Sequence, residues 1–321
     1  MLKLYTDLLK IIEQEIQKNP FKGSPQNLYE PLNYIIGLGG KRIRPVLALM
    51  SCKLYSDTIE KAIPAALAVE VFHNFSLIHD DIMDKAPVRR GKPTVHKRWD
   101  SHTAILSGDL MLVKAYEILL RSDKNYLPDL MFVFNKTAAE VCEGQQMDMN
   151  FETQANVTEA EYLEMIRLKT SALLGCSLQL GVIVADAPKD DALKLYDLGV
   201  NMGMGFQLMD DYLDAFGTPE MVGKQPGGDI LAGKKTIMAI RAMQTDKDHL
   251  LDLFNDKNIS GHEKTELVKQ LFIKTGSDVY LRSLSETYFG LALKNLKDLN
   301  VDELKKTDLN ELLVYLQNRS F

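Results

Sequence analysis

The sequence predicts an all-α protein, and three observations carry that prediction. Apolar residues recur at helical spacing almost from end to end, and no segment shows a convincing strand pattern. Two long apolar helical runs each finish in a cluster of aspartates. Leu4, Leu8, Ile11, Ile12 and Ile16 form one stripe, and Leu28, Leu32, Ile35 and Ile36 form a second. The glycines at 37, 39 and 40 end that second helix, and Lys41-Arg42-Ile43-Arg44-Pro45 bridges to a helix at about 45–55. Pro64 suits the first turn of a helix running to about Asp84, and a polar loop follows over 85–93. Further helices are expected at about 102–122, 127–150, 158–186 and 190–217, the third opening with the capping box Thr158-x-x-Glu161. A second loop rich in Gly and Pro covers 217–233, and helices resume at about 235–244, 247–256, 261–275, 277–299 and 307–318. No linker interrupts the pattern. The expected architecture is one large domain over 1–321, a bundle of long helices around a deep central cavity.

Composition narrows the class. With 321 residues and 45% hydrophobic content, the chain can bury a sizeable core, and 26% charged residues describe a soluble globular protein. A net charge of −6 without a broad basic stripe argues against nucleic acid as a partner. Cys52, Cys142 and Cys176 are far apart and lie in apolar runs, as buried reduced thiols of a cytosolic protein would. The first eighteen residues mix acids and bases on an amphipathic helix and lack the apolar core of a signal peptide. The longest uncharged run, 170–185, is too short for a membrane span and reads as a buried core helix. A cytoplasmic protein without an integral membrane segment is the expectation.

The chemistry centres on His79-Asp80-Asp81-Ile82-Met83-Asp84. In a helix Asp80 and Asp84 share a face about 6 Å apart along the axis, with Asp81 beside them. Two carboxylates about 4 Å apart repel by roughly 4 kcal/mol at an effective dielectric near 20. Three of them at the negative end of a helix dipole call for a cation. The pattern returns at Asp210-Asp211-Tyr212-Leu213-Asp214, again after a long apolar run. A solvated acidic helix end would explain one cluster; two in matching contexts point to metal. Oxygen ligands with no His or Cys in the pattern favour Mg²⁺, which holds substrate phosphates as its remaining partners.

Basic groups sit beside each cluster. Lys41 and Arg44 are three apart, within reach of one anion if both lie in a helical turn. Arg89-Arg90-Gly91 follows the first cluster, and Lys224 and Lys234 follow the second among Gly227, Gly228 and Gly233. Guanidinium forks, lysine charges and approachable glycine backbone are what a diphosphate needs. Lys169-Thr170 borders the uncharged run, Gln207 precedes Asp210 by three residues, and His73 lies two turns before Asp80 on its face.

At this point the residues resemble a known family. Gly39-Gly40-Lys41-Arg42-Ile43-Arg44-Pro45, His79-Asp80-Asp81-Ile82-Met83-Asp84, Arg89-Arg90-Gly91-Lys92-Pro93-Thr94, Gly144-Gln145-x-x-Asp148, Lys169-Thr170 and Phe206-Gln207-Leu208-Met209-Asp210-Asp211-Tyr212-Leu213-Asp214 together resemble the trans-isoprenyl diphosphate synthases. Gly223-Lys224, Gly228-Asp229 and Gly233-Lys234-Lys235-Thr236 extend the match, which covers about 39–236 in the family's order. The resemblance implies an all-α isoprenoid synthase fold, a homodimer, and two aspartate motifs facing across a central cavity. It implies Mg²⁺-dependent head-to-tail condensation of isopentenyl diphosphate with an allylic diphosphate (dimethylallyl, geranyl or farnesyl). By the same resemblance Asp80, Asp84 and Asp210 ligate Mg²⁺, with Asp81, Asp211 and Asp214 in support. Arg89, Lys169, Thr170, Gln207, Lys224 and Lys234 contact the allylic diphosphate, and Lys41, Arg44, His73 and Arg90 hold isopentenyl diphosphate.

Product length should be set along the helix that ends at Asp80. Phe75 lies five residues back, about 7.5 Å down the axis, Phe72 is a turn below it, and Ser76 lies beside it. Long-chain members of the family carry small residues where Phe75 stands, so the resemblance implies a short product, farnesyl or geranylgeranyl diphosphate. Two departures bear on this: the first motif lacks the two-residue insertion of bacterial farnesyl enzymes, and Ser76 replaces the second aromatic of eukaryotic ones. The rival readings are a longer-chain polyprenyl synthase for quinone side chains, a terpene cyclase, and a non-catalytic partner subunit of another synthase. The last should have lost an aspartate, and none is missing.

Overall fold

The computed structural model describes residues 3–218 and 226–318; Lys224 therefore lies outside the described residues. The chain is helical: α1 Lys3–Lys18, α2 Gln26–Gly37, α3 Ile43–Tyr55, α4 Ile63–Met83, α5 Val95–Arg98, α6 Ser101–Leu119, α7 Leu127–Thr153, α8 Glu159–Ile166, α9 Ala172–Ile183 and α10 Lys189–Phe216 come first. They are followed by α11 Gly228–Leu231, α12 Ile237–Asn255, α13 Gly261–Lys274, α14 Ser277–Lys297 and α15 Glu303–Gln317. The all-α expectation holds.

The residues group into two compact units. The first comprises Met1–Lys136, Cys176–Tyr196 and Leu299–Leu309; the second comprises Thr137–Gly175, Asp197–Asp298 and Asn310–Phe321. Four of the five divisions fall inside helices and the fifth just past the end of α14, which is why no boundary is legible in composition. In the first unit α4 is the central element and packs on α1, α2, α3 and, most extensively, α6. Ala65, Ala66 and Ala68 let its neighbours approach, and Val69, Phe72 and Ile78 fill the space between them, all buried. One charge, Glu70, is buried in the middle of this helix. α4 is also the described segment long and apolar enough to cross a membrane, and 67% of that window is buried within the protein.

The second unit is built on α8, α10, α12, α13 and α14, whose core includes Met204, Leu208, Ile237, Ile240, Leu271, Phe272 and Leu281. The expected capping box is present: the Glu161 amide donates to the Thr158 hydroxyl at 3.2 Å, and the Thr158 amide donates to the Glu161 carboxylate at 2.7 Å.

The expected break between helices 235–244 and 247–256 is present within α12, at Asp246, whose backbone is non-helical (φ −147°, ψ 63°); the polar run Gln244-Thr245-Asp246 competes with the helical ladder for its own backbone. Three local features differ from the sequence reading. α15 begins earlier than expected because Asp302 accepts the Leu304 amide at 2.8 Å and starts it. The polar loop after Asp84 contains a small antiparallel hairpin, β1 Val88–Arg89 with β2 Lys92–Pro93. Arg90 and Gly91 both have positive φ (51° and 73°), the requirement of a tight two-residue turn, and strands this short cannot show alternation in sequence. Finally, Cys52 and Cys176 are buried as expected but Cys142 is exposed, on the outer face of α7.

Candidate active site

In the first unit, helical geometry runs through the whole aspartate motif, since the Asp84 amide donates to the Asp80 carbonyl at 2.9 Å one residue past the end of α4. The three carboxylates have different situations. Asp81 is 1% exposed and is clamped by Arg89, whose Nε donates to both its oxygens at 2.9 Å. Arg89 Nη2 lies 2.8 Å from Asp81 and 3.5 Å from Asp80. Burial pushes the Asp81 carboxyl up while the Arg89 guanidinium opposes it. Asp84 is exposed and Asp80 is partly so. The last aspartate thus faces outward and the first partly so, while the middle one fixes the hairpin arginine.

The preceding helix carries His73, Phe72, Phe75 and Ser76. Arg44 lies in the first turn of α3, and its Nη1 is 3.2 Å from His73 Nε2. An arginine cannot accept, so the imidazole Nε2 accepts and its proton sits on Nδ1. Burial, then Arg44, Arg90, Arg89 and Arg42, hold this imidazole well below its ordinary range, so it is neutral. Burial draws the Arg44 guanidinium down to about 10, still charged at neutral pH. Its Nε is buried with no hydrogen-bond partner, which suits a ligand oxygen or water.

The sign of a stability effect follows from His73. An unfolded chain protonates this histidine below about pH 6.5, whereas the folded chain resists the proton, so its stabilising share is whole above that pH and declines as pH falls. Urea midpoints should therefore drop between neutral pH and about pH 5 more steeply for the parent protein than for His73→Asn. Parallel pH slopes would exclude a His73 held neutral in the folded protein.

Lys41 departs from the spacing argument. α3 begins at Ile43, and Arg42 before it has left-handed backbone (φ 49°). Lys41 and Arg44 therefore do not share a helical turn; Lys41 belongs to the α2–α3 loop. Gly40 in that loop is favoured by its backbone and packs against Arg90. Its φ is +136°, and a Cβ there would stand 2.7 Å from the Arg90 guanidinium carbon. The loop and the hairpin turn thus meet backbone to guanidinium, and Arg90 is brought beside the Lys41 segment.

Phe75 is 8% exposed and Phe72 1%. Their rings lie 5.4 Å apart, Phe72 meets Phe134 of α7 at 5.4 Å, and Phe75 meets His79 at 5.0 Å. Ser76 turns its hydroxyl back to the His73 carbonyl at 2.8 Å.

The second unit repeats the buried middle aspartate and the partly exposed first one, but buries the last as well. Asp210, Asp211 and Asp214 lie in the last turns of α10. Asp211 is buried; the Tyr162 hydroxyl donates to it at 2.6 Å and Gln207 Nε2 at 3.1 Å. Burial and nearby Asp229 raise its carboxyl to about 8 against those two donors. Thr170 donates to Gln207 at 3.2 Å, so Thr170, Gln207, Asp211 and Tyr162 form one network. Asp214 is buried and accepts the Asp229 amide at 2.8 Å, folding back the segment that carries Lys234. Lys234 Nζ lies 3.4 Å from Asp229. Asp210, the first of the three, remains partly exposed.

Lys169 and Thr170 sit on a π-turn, Arg167–Ser171, between α8 and α9, where one regular helix was expected. Such bulges widen the helix and re-aim side chains, often at functional sites. Lys169 Nζ reaches Asp148 of α7 at 2.6 Å, and a Cβ on Gly144 would stand 2.3 Å from the Lys169 amide, so only glycine lets α7 come this close. The acid of the Gly144-Gln145-x-x-Asp148 motif is thereby explained as the partner of Lys169.

Sequence reasoning missed Arg42, Glu70, Asn74 and Tyr162. Glu70 had a signal, being the one acid in the apolar run before Asp80. Tyr162 had none, since its partner is forty-nine residues away.

Among the described residues, no three carboxylate, imidazole or thiolate groups converge into a ready-made metal cage. The donor set still fits Mg²⁺, which keeps several waters and takes only one or two protein carboxylates plus ligand phosphates. Asp80, Asp84 and Asp210 are the exposed or partly exposed members of the two motifs.

Comparison with known proteins is consistent with this chemistry. The polyprenyl synthetase family model matches residues 25–272. A geranylgeranyl diphosphate synthase of Methanosarcina mazei is 38% identical over 299 residues, covering 92% of this chain and 91% of that one. A short chain isoprenyl diphosphate synthase of Methanocaldococcus jannaschii is 41% identical over 270 residues, with 83% and 82% covered. A crystal structure of a geranylgeranyl pyrophosphate synthase superposes with a TM-score of 0.95 at 44% identity, covering 100% of both chains.

Proposed function

The chain belongs to the polyprenyl synthetase family, and on that premise we propose that it condenses isopentenyl diphosphate head-to-tail with an allylic diphosphate to give a short trans-prenyl diphosphate. The observation that carries the reading is the repeated carboxylate arrangement. In each motif the middle aspartate is buried and held by protein donors, Arg89 for Asp81 and Tyr162 with Gln207 for Asp211. In each the first aspartate keeps access to solvent. A surface acidic patch has no reason to build this twice.

Asp80, Asp84 and Asp210 are the proposed Mg²⁺ ligands. When bound, the metal would stabilise charge developing on the allylic diphosphate as its C–O bond breaks, worth several kcal/mol. Asp81, Asp211 and Asp214 support them by fixing Arg89, the Gln207 network and the Lys234 segment. Arg89, Lys169, Thr170, Gln207, Lys224 and Lys234 bind that same diphosphate. Lys41, Arg44, Arg90 and neutral His73 hold isopentenyl diphosphate, and holding its double bond against the allylic carbon supplies much of the remaining rate. Geranylgeranyl diphosphate is the favoured product, supported by what the relatives are named and by the Phe75 ring on α4.

The two compact units act as one synthase domain, and the working protein is a cytoplasmic homodimer. Exposed apolar side chains support the homodimer: Leu106 and Val113 on α6 are 59% and 52% exposed, Leu120 just past its end 55%, and Phe132 on α7 72%. An apolar surface of this kind marks a protein interface. Purified protein given labelled isopentenyl diphosphate, Mg²⁺ and dimethylallyl, geranyl or farnesyl diphosphate should incorporate label into extractable product. No Mg²⁺-dependent incorporation with any starter would overturn the enzyme reading and favour a non-catalytic partner subunit.

A further inference from the structure

The residues assigned above to isopentenyl diphosphate are carried by the α2–α3 loop (Lys41), the hairpin turn (Arg90) and two helix positions (Arg44 and His73), and an irregular loop does not hold a cation in place by itself. Arg42 is what fixes it. This residue is 3% exposed, and its guanidinium is directed entirely inward. Nε donates to Glu13 of α1 at 2.8 Å, Nη1 donates to Glu70 of α4 at 2.6 Å, and Nη2 donates to the Ile36 carbonyl of α2. Glu70, 2% exposed, also accepts from Asn74 Nδ2 at 2.9 Å, and the same amide donates to the Glu70 carbonyl at 2.8 Å. From α1 the Tyr5 hydroxyl donates to the Lys41 carbonyl. Three helices therefore grip two consecutive loop residues, Lys41 and Arg42, just before α3 and two residues ahead of Arg44.

A buried ion pair is a poor way to gain stability, because apolar residues of similar volume often do as well or better. What it supplies is direction. Arg42 is left-handed (φ 49°), and its planar fork has donors aimed at separate helices, so it admits one loop conformation. Glu70 is one turn before His73 on the same helix, and His73 in turn meets Arg44.

We propose that the Arg42–Glu70 pair, braced from α1 by Glu13 and Tyr5, is a positioning element that sets Lys41 and Arg44 for isopentenyl diphosphate. Helix α1 is thus part of the second-substrate site without touching substrate. The inference rests on the assignment of Lys41, Arg44 and His73 to that substrate.

Steady-state kinetics with each substrate varied in turn test it. Glu13→Gln, Tyr5→Phe and Arg42→Lys should raise KM for isopentenyl diphosphate, Arg42→Lys by about tenfold, less than the ~100-fold that a 1 Å misplacement can cost in rate. KM for the allylic diphosphate should change less than about twofold, with kcat largely kept, the signature of lost binding rather than lost chemistry. Arg42→Gln with Glu70→Gln removes both charges together, so it avoids stranding a buried carboxylate and should fold while showing the same KM split. Wild-type KM values in that double variant, or equal loss on both substrates, would overturn the proposal. Lys41→Ala and Arg44→Ala run alongside separate the two levels. If they leave KM for isopentenyl diphosphate unchanged, the substrate assignment fails and the inference with it. If they raise it and the Arg42, Glu13 and Glu70 variants do not, the inference alone fails.

Discussion

Replacing Asp80 by alanine is expected to lower kcat/KM for condensation by about 10³-fold, the scale seen when one preorganised electrostatic contact to a developing charge is removed, ~4 kcal/mol. The loss should fall on kcat and on the Mg²⁺ requirement, because the proposed role of Asp80 is to hold metal on the leaving group. Stability should hardly change. The Asp80 side chain is 21% exposed and its ion contact is the long one, 3.5 Å to Arg89, and a partly exposed pair of this kind contributes at most about 1 kcal/mol. Asp81→Asn should behave in the opposite way. It strips the bidentate partner from Arg89 and leaves that guanidinium beside a buried neutral amide, so the melting temperature should fall while the Mg²⁺ requirement stays near that of the parent. Mg²⁺ titrations of initial rate with melts of the same preparations distinguish the two. A weakened Mg²⁺ response in Asp81→Asn, with none in Asp80→Ala, would reverse the roles given to the two aspartates.

The contrast between these neighbours shows what could be read without coordinates. Helical spacing was enough to place Asp80 and Asp84 on one face, to find α4, α6, α7 and α10 within a few residues, and to pair each acidic cluster with basic groups. Local signals sufficed because a helix is a local object. Three things were not legible. Which aspartate faces outward depends on partners eight residues away for Asp81 and forty-nine away for Asp211, and spacing alone assigns all six to metal. The π-turn under Lys169 lies where Gly144 packs closely against the Lys169 backbone, a contact that no periodicity records. The Arg42–Glu70 pair joins residues whose charges look like surface charge until burial is known. A lone acid inside an apolar helix was the one available hint, since an ionised group buried there must be paired.

Phe75→Ala is the second large effect, and it has two separable parts. The ring is 8% exposed and packs between Phe72 and His79, so removing it leaves a cavity. Phe→Ala in a core costs about 3–5 kcal/mol, depending on how far the site collapses. That part lowers the amount of active enzyme and scales every product equally. The other part changes the ratio of products. Phe75 lies five residues before Asp80 on the same continuous helix, about 7.5 Å from the metal-binding end. If its ring stops the growing chain, alanine there should shift the products to prenyl diphosphates longer by at least one isoprene unit. A ratio does not depend on the active fraction, so mass spectrometry of extracted products separates the parts that activity alone would merge. Phe72 supplies the control. It is 1% exposed and lies between Phe75 and Phe134, so Phe72→Ala should cost comparable stability. Its product shift should be smaller, because the Phe75 ring remains. Phe75→Leu, which keeps most of the volume, should lose less stability and lengthen less than alanine. An unchanged product ratio in Phe75→Ala, with the stability loss observed, would leave this ring a core residue and move the length limit elsewhere. The three substitutions together therefore test a position on the helix rather than the general effect of opening a hole in it.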